Sequence, residues 1–153
     1  EAAGRLQRLV AALLALFRSG VELQPRPVDL GALLARLPAD GLQVEVPAGA
    51  ALAADPDLLT AALVNLLDNA VRHGAHRVRV SLPRPGQVRL DDDGPGVPAE
   101  RRIALQQALD AQAYEGRMGL GLMLADMVAR SHGGRLLLPP TATGFAAELH
   151  LAP

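Results

Sequence analysis

The chain has 153 residues, enough for one domain with a substantial core, and half of them are hydrophobic. Only three are aromatic (Phe17, Tyr114, Phe145), net charge is −1, and all 15 Lys-or-Arg positions are arginine. A near-neutral chain with so few aromatic stacking residues makes a poor nucleic-acid surface; the absence of cysteine excludes disulfides and thiolate metal sites, and no apolar run approaches the ~18 residues of a membrane span.

Leu6, Leu9, Val10, Leu13, Leu16 and Phe17 repeat at intervals of three and four, which predicts a helix over residues 1–19. Its seam fits either an amphipathic helix packed on its own domain or the tail of a paired helix. The chain opens inside this pattern, at Glu1, and is read as a piece of a longer protein. Gln24-Pro25-Arg26-Pro27 reads as a linker. Val28-Asp29-Leu30 reads as a short strand and helix cap, with a short helix over 30–37. Residues 42–46 and 50–53 are strand candidates. Asp55-Pro56 supplies an N-cap and a first-turn proline for a long helix. Residues 77–82 and 87–91 alternate around Pro83-Arg84-Pro85-Gly86, a hairpin pattern. Helices are predicted over 98–109 and 119–131, and residues 135–138 and 145–151 form a closing hairpin around Thr143-Gly144. No internal repeat is visible. Such an order of elements predicts a two-layer α/β sandwich.

Two stretches carry chemistry. In Leu63-Val64-Asn65-Leu66-Leu67-Asp68-Asn69-Ala70-Val71-Arg72-His73, a helix advancing ~100° per residue puts Asn65, Asn69 and Arg72 in one narrow stripe, with His73 at its edge. Two carboxamides and a guanidinium on an otherwise apolar helix need partners, because burying them unpaired is costly. A ligand bearing oxygens, metal and phosphates would supply them. About twenty residues on, Asp92-Asp93-Gly94-Pro95-Gly96-Val97-Pro98 joins a carboxylate to a turn where backbone can approach a flat ligand closely.

Together these resemble the N box and first glycine box of the histidine-kinase catalytic domain. That domain belongs to an ATPase superfamily that also holds gyrase, the mismatch-repair MutL proteins and a heat-shock chaperone. Gly116-Arg117-Met118-Gly119-Leu120-Gly121-Leu122 looks like the second glycine box. Ser131-His132-Gly133-Gly134-Arg135 resembles the His-Gly-Gly turn before the last strands. The motifs follow the family's order over roughly residues 55 to 151, which makes the signal far more specific than any one glycine motif. The resemblance implies a Bergerat-type ATP-binding fold: a mixed sheet with three helices on one face, plus an amino-terminal helical stub. Residues 1–20 would end a dimerisation helix, 21–27 would be a linker, and 28–153 the catalytic domain.

It also implies roles. Asn69 resembles the magnesium-binding asparagine, reasonable chemistry for a hard ion that takes oxygen ligands. Asn65 matches a position supporting the phosphates or the magnesium waters. Arg72 matches a phosphate-contacting basic position. Asn65, Asn69 and Arg72 are thus the catalytic candidates. His73 stands beside the adenine, where tyrosine is more usual. Asp92 resembles the aspartate that accepts from the adenine amino group; Asp91 and Asp93 flank it, and the spacing to Gly94 and Gly96 selects Asp92. Gly94, Gly96, Val97, Arg117, Gly119, Leu120, Gly121 and Leu122 complete the expected nucleotide contacts, the last four at a helix start whose amides favour anions. The implied cofactors are ATP and Mg²⁺.

Departures from the family pattern are equally legible. The stretch after Pro98 lacks the usual phenylalanine motif, having Ile103-Ala104-Leu105-Gln106-Gln107 instead, and the lid candidate, residues 110–118, is short. Residues 106–118 are expected to be the most mobile stretch in the absence of nucleotide. Superfamily members that hydrolyse ATP resemble one another in a glutamate four residues before the magnesium asparagine; here that position is Asn65, which also speaks against an anti-sigma-factor serine kinase. The four histidines (His73, His76, His132, His150) all lie inside the domain, so no phosphoacceptor is evident. The resemblance implies the catalytic domain of a two-component sensor histidine kinase, inactive alone. It would phosphorylate a histidine on an absent dimerisation helix and thereby serve a response regulator. The full-length protein would be a homodimer, with this domain cytoplasmic, itself contacting neither membrane nor nucleic acid, in an inner-membrane sensor. The alternatives are a nucleotide-binding or degenerate scaffold domain with little kinase activity, or an anti-sigma-factor serine kinase.

Overall fold

Aspartates open the first two helices in the computed structural model, which describes residues 23–38, 41–114 and 119–151. Strand β1 (Arg26–Asp29) leads into α1 (Leu30–Ala35), and the Asp29 side chain accepts from the Ala32 amide at 3.1 Å. After β2 (Gln43–Glu45) and β3 (Ala51–Ala54), Asp55 caps α2 (Pro56–Arg72) by accepting from the Asp57 and Leu58 amides at 3.1 and 3.2 Å. Pro56 sits in the first turn, where a missing N–H costs nothing. The chain continues through β4 (Arg77–Ser81), β5 (Gln87–Asp92), α3 (Ala99–Asp110), α4 (Leu120–Ser131), β6 (Arg135–Leu137) and β7 (Ala146–His150). The expected helix over residues 1–19 lies outside the described residues.

Five strands form one sheet in the order β2-β4-β5-β7-β6. The β2–β4 pair is parallel and the others antiparallel, so the sheet is mixed, as expected. Period-two alternation sends Val78, Val80, Val88, Leu90 and Leu149 into the core. The opposite face is laced by ion pairs, with Arg89 bridging Asp91 at 2.8 Å and Glu148 at 2.9 Å. Helix α2 buries Leu58, Leu59, Leu63, Leu66 and Leu67, and α4 buries Leu122, Leu124 and Val128. With few aromatics, leucine, valine and alanine fill the interior. Four helices are present among the described residues: the three long ones expected from the pattern and the short α1.

Two boundaries differ from the sequence reading. Arg26 and Pro27, expected in a linker, belong to β1, which pairs antiparallel with β3 in a separate two-stranded ribbon. Proline is tolerated there because such a ribbon leaves one side of each strand unpaired. The final hairpin is also less tight than expected, since residues 138–145 separate β6 from β7.

Side chains fasten helix α3 to the edge strand β6, where Gln106 donates to the Leu136 carbonyl at 3.3 Å, and to the residue that follows the strand. Arg102 Nη1 donates to the Leu138 carbonyl at 3.0 Å, and Gln106 accepts from the Leu138 amide at 2.6 Å. Gln106 occupies the stretch where the family carries its phenylalanine motif. Here it satisfies backbone groups that an edge strand otherwise leaves open.

Candidate nucleotide site

The two motif stretches converge on one cavity. Its walls include the end of α2 (Asn69, Arg72, His73), the end of β5 and the loop after it (Asp92, Gly96, Val97) and the start of α4 (Gly119, Leu122). Residues on three segments remote in sequence meet because β5 delivers Asp92 beside the C-terminal end of α2.

Three consecutive aspartates have three different tasks, and strand alternation decides them. Asp91 points to the outer face and pairs with Arg89. Asp93 is exposed; its Oδ1 accepts from the His76 and Arg77 amides at 2.7 and 2.8 Å, and these bonds hold its carboxyl below the usual range. Asp92 follows Val88 and Leu90 on the inner face and lines the cavity. The spacing argument thus selects the aspartate that the fold turns inward.

Asp92 is held by backbone on one oxygen. Its Oδ1 accepts from the Gly94 amide at 2.9 Å and the Phe145 amide at 3.1 Å. Burial pushes its carboxyl up from the ordinary value; the two amides act against that rise. Close backbone approach fixes this corner. Gly144 has φ of +67°, and a Cβ there would collide with the Asp92 carbonyl; Gly96 has φ of +75°, and a Cβ there would strike the Gly144 carbonyl. Only glycine fits at either position.

The amide stripe divides. Asn69 lines the cavity, with Arg72 and His73 exposed around its mouth. Asn65 does not line it. It is 3% exposed, and its Nδ2 donates to the Ala61 carbonyl at 2.7 Å, one turn back on the same helix. The first turn of α4 covers it: a Cβ on Gly121 would lie 3.2 Å from the Asn65 carbonyl oxygen. Gly121 therefore serves helix packing. Gly94 acts through Asp92, and Leu120 is 53% exposed outside the cavity lining. Arg117 lies outside the described residues.

Residues 54–153 match the family described as histidine kinase-, DNA gyrase B- and HSP90-like ATPase. The chain belongs to this family. Sensor histidine kinase GtrS of Pseudomonas aeruginosa is 39% identical over 121 residues, covering 72% of this chain and 25% of that protein. The signal transduction histidine-protein kinase AfsQ2 of Streptomyces coelicolor is 35% identical, covering 70% of this chain and 21% of that protein. The chain therefore spans about a quarter or less of the length of these curated relatives. Among solved structures, the ATP-binding domain of PrrB from Mycobacterium tuberculosis superposes with a TM-score of 0.64 at 29% identity, covering 84% of this chain and 97% of that one. The chain is homologous to the catalytic ATP-binding domains of sensor histidine kinases, and its mixed sheet with helices on one face is theirs.

Some of the family site was not legible in the motifs. Arg101, Leu105 and Phe145 also line the cavity. Phe145 could have been suspected as one of three aromatics; its amide and carbonyl both bond to Asp92. Arg101 and Leu105 follow Val97 at intervals of four, a helical signal that the glycine motif obscured.

A buried polar network stands behind the site. Asp126, 0% exposed, accepts from the Tyr114 hydroxyl at 2.6 Å, Arg130 Nε at 2.8 Å and the Leu136 amide at 2.9 Å. Arg130 Nη2 then donates to the Leu109 carbonyl at 2.7 Å. The Asp126 carboxylate raises the Arg130 pKa; burial and the bond to Asp126 raise that of Tyr114. The stretch expected as a mobile lid thus begins anchored, with residues 106–110 in α3 and Tyr114 tied to α4.

Proposed function

We propose that this domain binds Mg·ATP in the cavity between α2, α3 and α4 and donates the γ-phosphoryl group to a histidine on a separate dimerisation helix. The observation that carries the reading is the inward carboxylate of Asp92, held on one oxygen by two backbone amides. A carboxylate can accept from the adenine amino group, whereas guanine presents a carbonyl at that place.

Asn69 is the proposed magnesium ligand. Among the described residues no three His, Asp or Glu side chains could hold a metal. Magnesium commonly takes few protein oxygens, together with phosphates and waters, so one carboxamide lining the cavity fits that chemistry. The bound ion would neutralise phosphate charge. Arg72 would pair with phosphate oxygens, His73 would pack beside the base, and the amides of the first turn of α4, which has no side-chain cap, would face the anion. Arg117 is proposed as a further phosphate contact. Asn65 is proposed to support Asn69 from within the helix. Its carboxamide cannot take a proton at neutral pH, so water goes unactivated in this cavity.

Catalysis then rests on positioning and charge neutralisation. In the intact protein, we place this domain on the cytoplasmic side of an inner-membrane sensor. Residues 1–20 would end the dimerisation helix of a homodimer, and the phosphoryl group would pass on to a response regulator. Incubation with γ-labelled ATP tests the reading. The chain alone should release little phosphate and carry no label; adding a dimeric acceptor helix bearing its histidine should give a labelled acceptor. Rapid phosphate release by the chain alone, or no transfer to the acceptor, would overturn it.

A further inference from the structure

We propose that Arg101 is a second phosphate-binding guanidinium of this cavity, on α3 rather than on the motif-bearing helices. The inference rests on the nucleotide reading above and extends it to a residue that none of the sequence motifs contains. Arg101 and Leu105, one turn apart on α3, both line the cavity with Val97 just before the helix, so one face of α3 forms part of its wall. Leu105 is buried, while Arg101 is exposed, which sets the guanidinium towards the mouth.

The charges around the cavity are ordered. Among the described residues that line it, Asp92 is the only carboxylate, and it is half-buried at the end of β5. The lining arginines, Arg72 on α2 and Arg101 on α3, are both exposed. The cavity therefore carries a negative acceptor within and guanidiniums outside. A nucleoside polyphosphate has the matching polarity: an amino-bearing base at one end and a chain of anionic oxygens at the other. Two guanidiniums on different helices can grip that chain from separate directions, each through paired N–H donors suited to phosphate.

The test is titration of the wild type, Arg101→Gln and Arg101→Lys with Mg·ATP by calorimetry, and with adenosine by ligand-observed NMR. Arg101→Gln should weaken ATP about tenfold or more, as expected for a lost charge-assisted hydrogen bond. Adenosine affinity should not change. The affinity of the Gln variant for ATP should also fall less steeply with added salt. Arg101→Lys should recover part of the loss, because it keeps the charge without the fork. Thermal melting checks that each variant is folded; if the Gln variant is not, the wild-type-to-Lys difference with ATP and adenosine carries the same test. Unchanged ATP affinity in a folded Gln variant would overturn the proposal and leave the nucleotide reading standing. Equal loss for ATP and adenosine would also overturn it, making Arg101 part of the base pocket. A wild type that binds neither ligand would sink both readings.

Discussion

Asp92 and Asp126 are the same side chain put to opposite uses. Asp126 is sealed in the interior, and its two oxygens take three donors from α4, β6 and the segment after α3. Asp92 is half-buried at the cavity, and both of its backbone bonds fall on one oxygen. A carboxylate with its bonding complete inside the protein holds elements together. One with an oxygen towards a cavity can recognise a ligand, at some cost to the fold. Asparagines divide likewise on α2, where Asn65 is turned back onto the helix and Asn69 faces the cavity.

The largest effect expected from this contrast is on stability. Asp126→Ala removes the acceptor from a buried ion pair and should cost about 3 kcal/mol or more, read from urea unfolding midpoints. The fraction that remains folded should bind ATP nearly as the wild type does. A loss of affinity without a loss of stability would merge the two aspartates into one role.

Asn69→Ala should weaken ATP binding by about 1–2 kcal/mol in magnesium and much less in chelator. Equal losses under both conditions would make Asn69 structural. Tyr114→Phe removes one of the three donors to Asp126 and should cost about 1 kcal/mol, with hydrogen exchange quickened at Leu136. No change would detach the segment after α3 from the network.

The smallest effect is a pH dependence. Burial raises the Asp92 carboxyl above its ordinary 3.8, so the folded state holds this proton more tightly than the unfolded chain. The resulting stabilisation is complete below that ordinary value and is lost as pH rises through the folded value. At neutral pH the ionised group is a modest liability. Asp92→Asn keeps an oxygen for the Gly94 and Phe145 amides, so it should leave neutral-pH stability unchanged or slightly higher, the gain vanishing in acid. A clear loss at neutral pH would place Asp92 with Asp126 among the structural carboxylates.

What could be read beforehand follows from where information lies in a chain. Caps and alternation are local, so Asp55-Pro56 and the β4–β5 hairpin located their elements. The turn glycines and the inward-facing Asp92 were legible because the turn they build lies within a few residues of sequence. Asn65 falls on the predicted stripe yet outside the cavity lining, because helical periodicity gives a face but not the neighbour that covers it, here α4 at Gly121. Asp126 was invisible for the same reason: its donors come from residues 114, 130 and 136, whose meeting is a property of the fold. The stretch around Gln106 read only as a missing phenylalanine motif, because the backbone that Gln106 bonds, at Leu136 in β6 and at Leu138 just after it, is remote in sequence.

Calorimetric titration of the chain with Mg·ATP and Mg·GTP, repeated on Asp92→Ala, tests the central claim most directly. The account predicts that ATP binds and GTP does not, and that Asp92→Ala weakens ATP by about 1.5–3 kcal/mol, the range for a hydrogen bond to a charged group. Equal affinity for the two nucleotides, or an Asp92→Ala variant that binds ATP as well as the wild type, would contradict it.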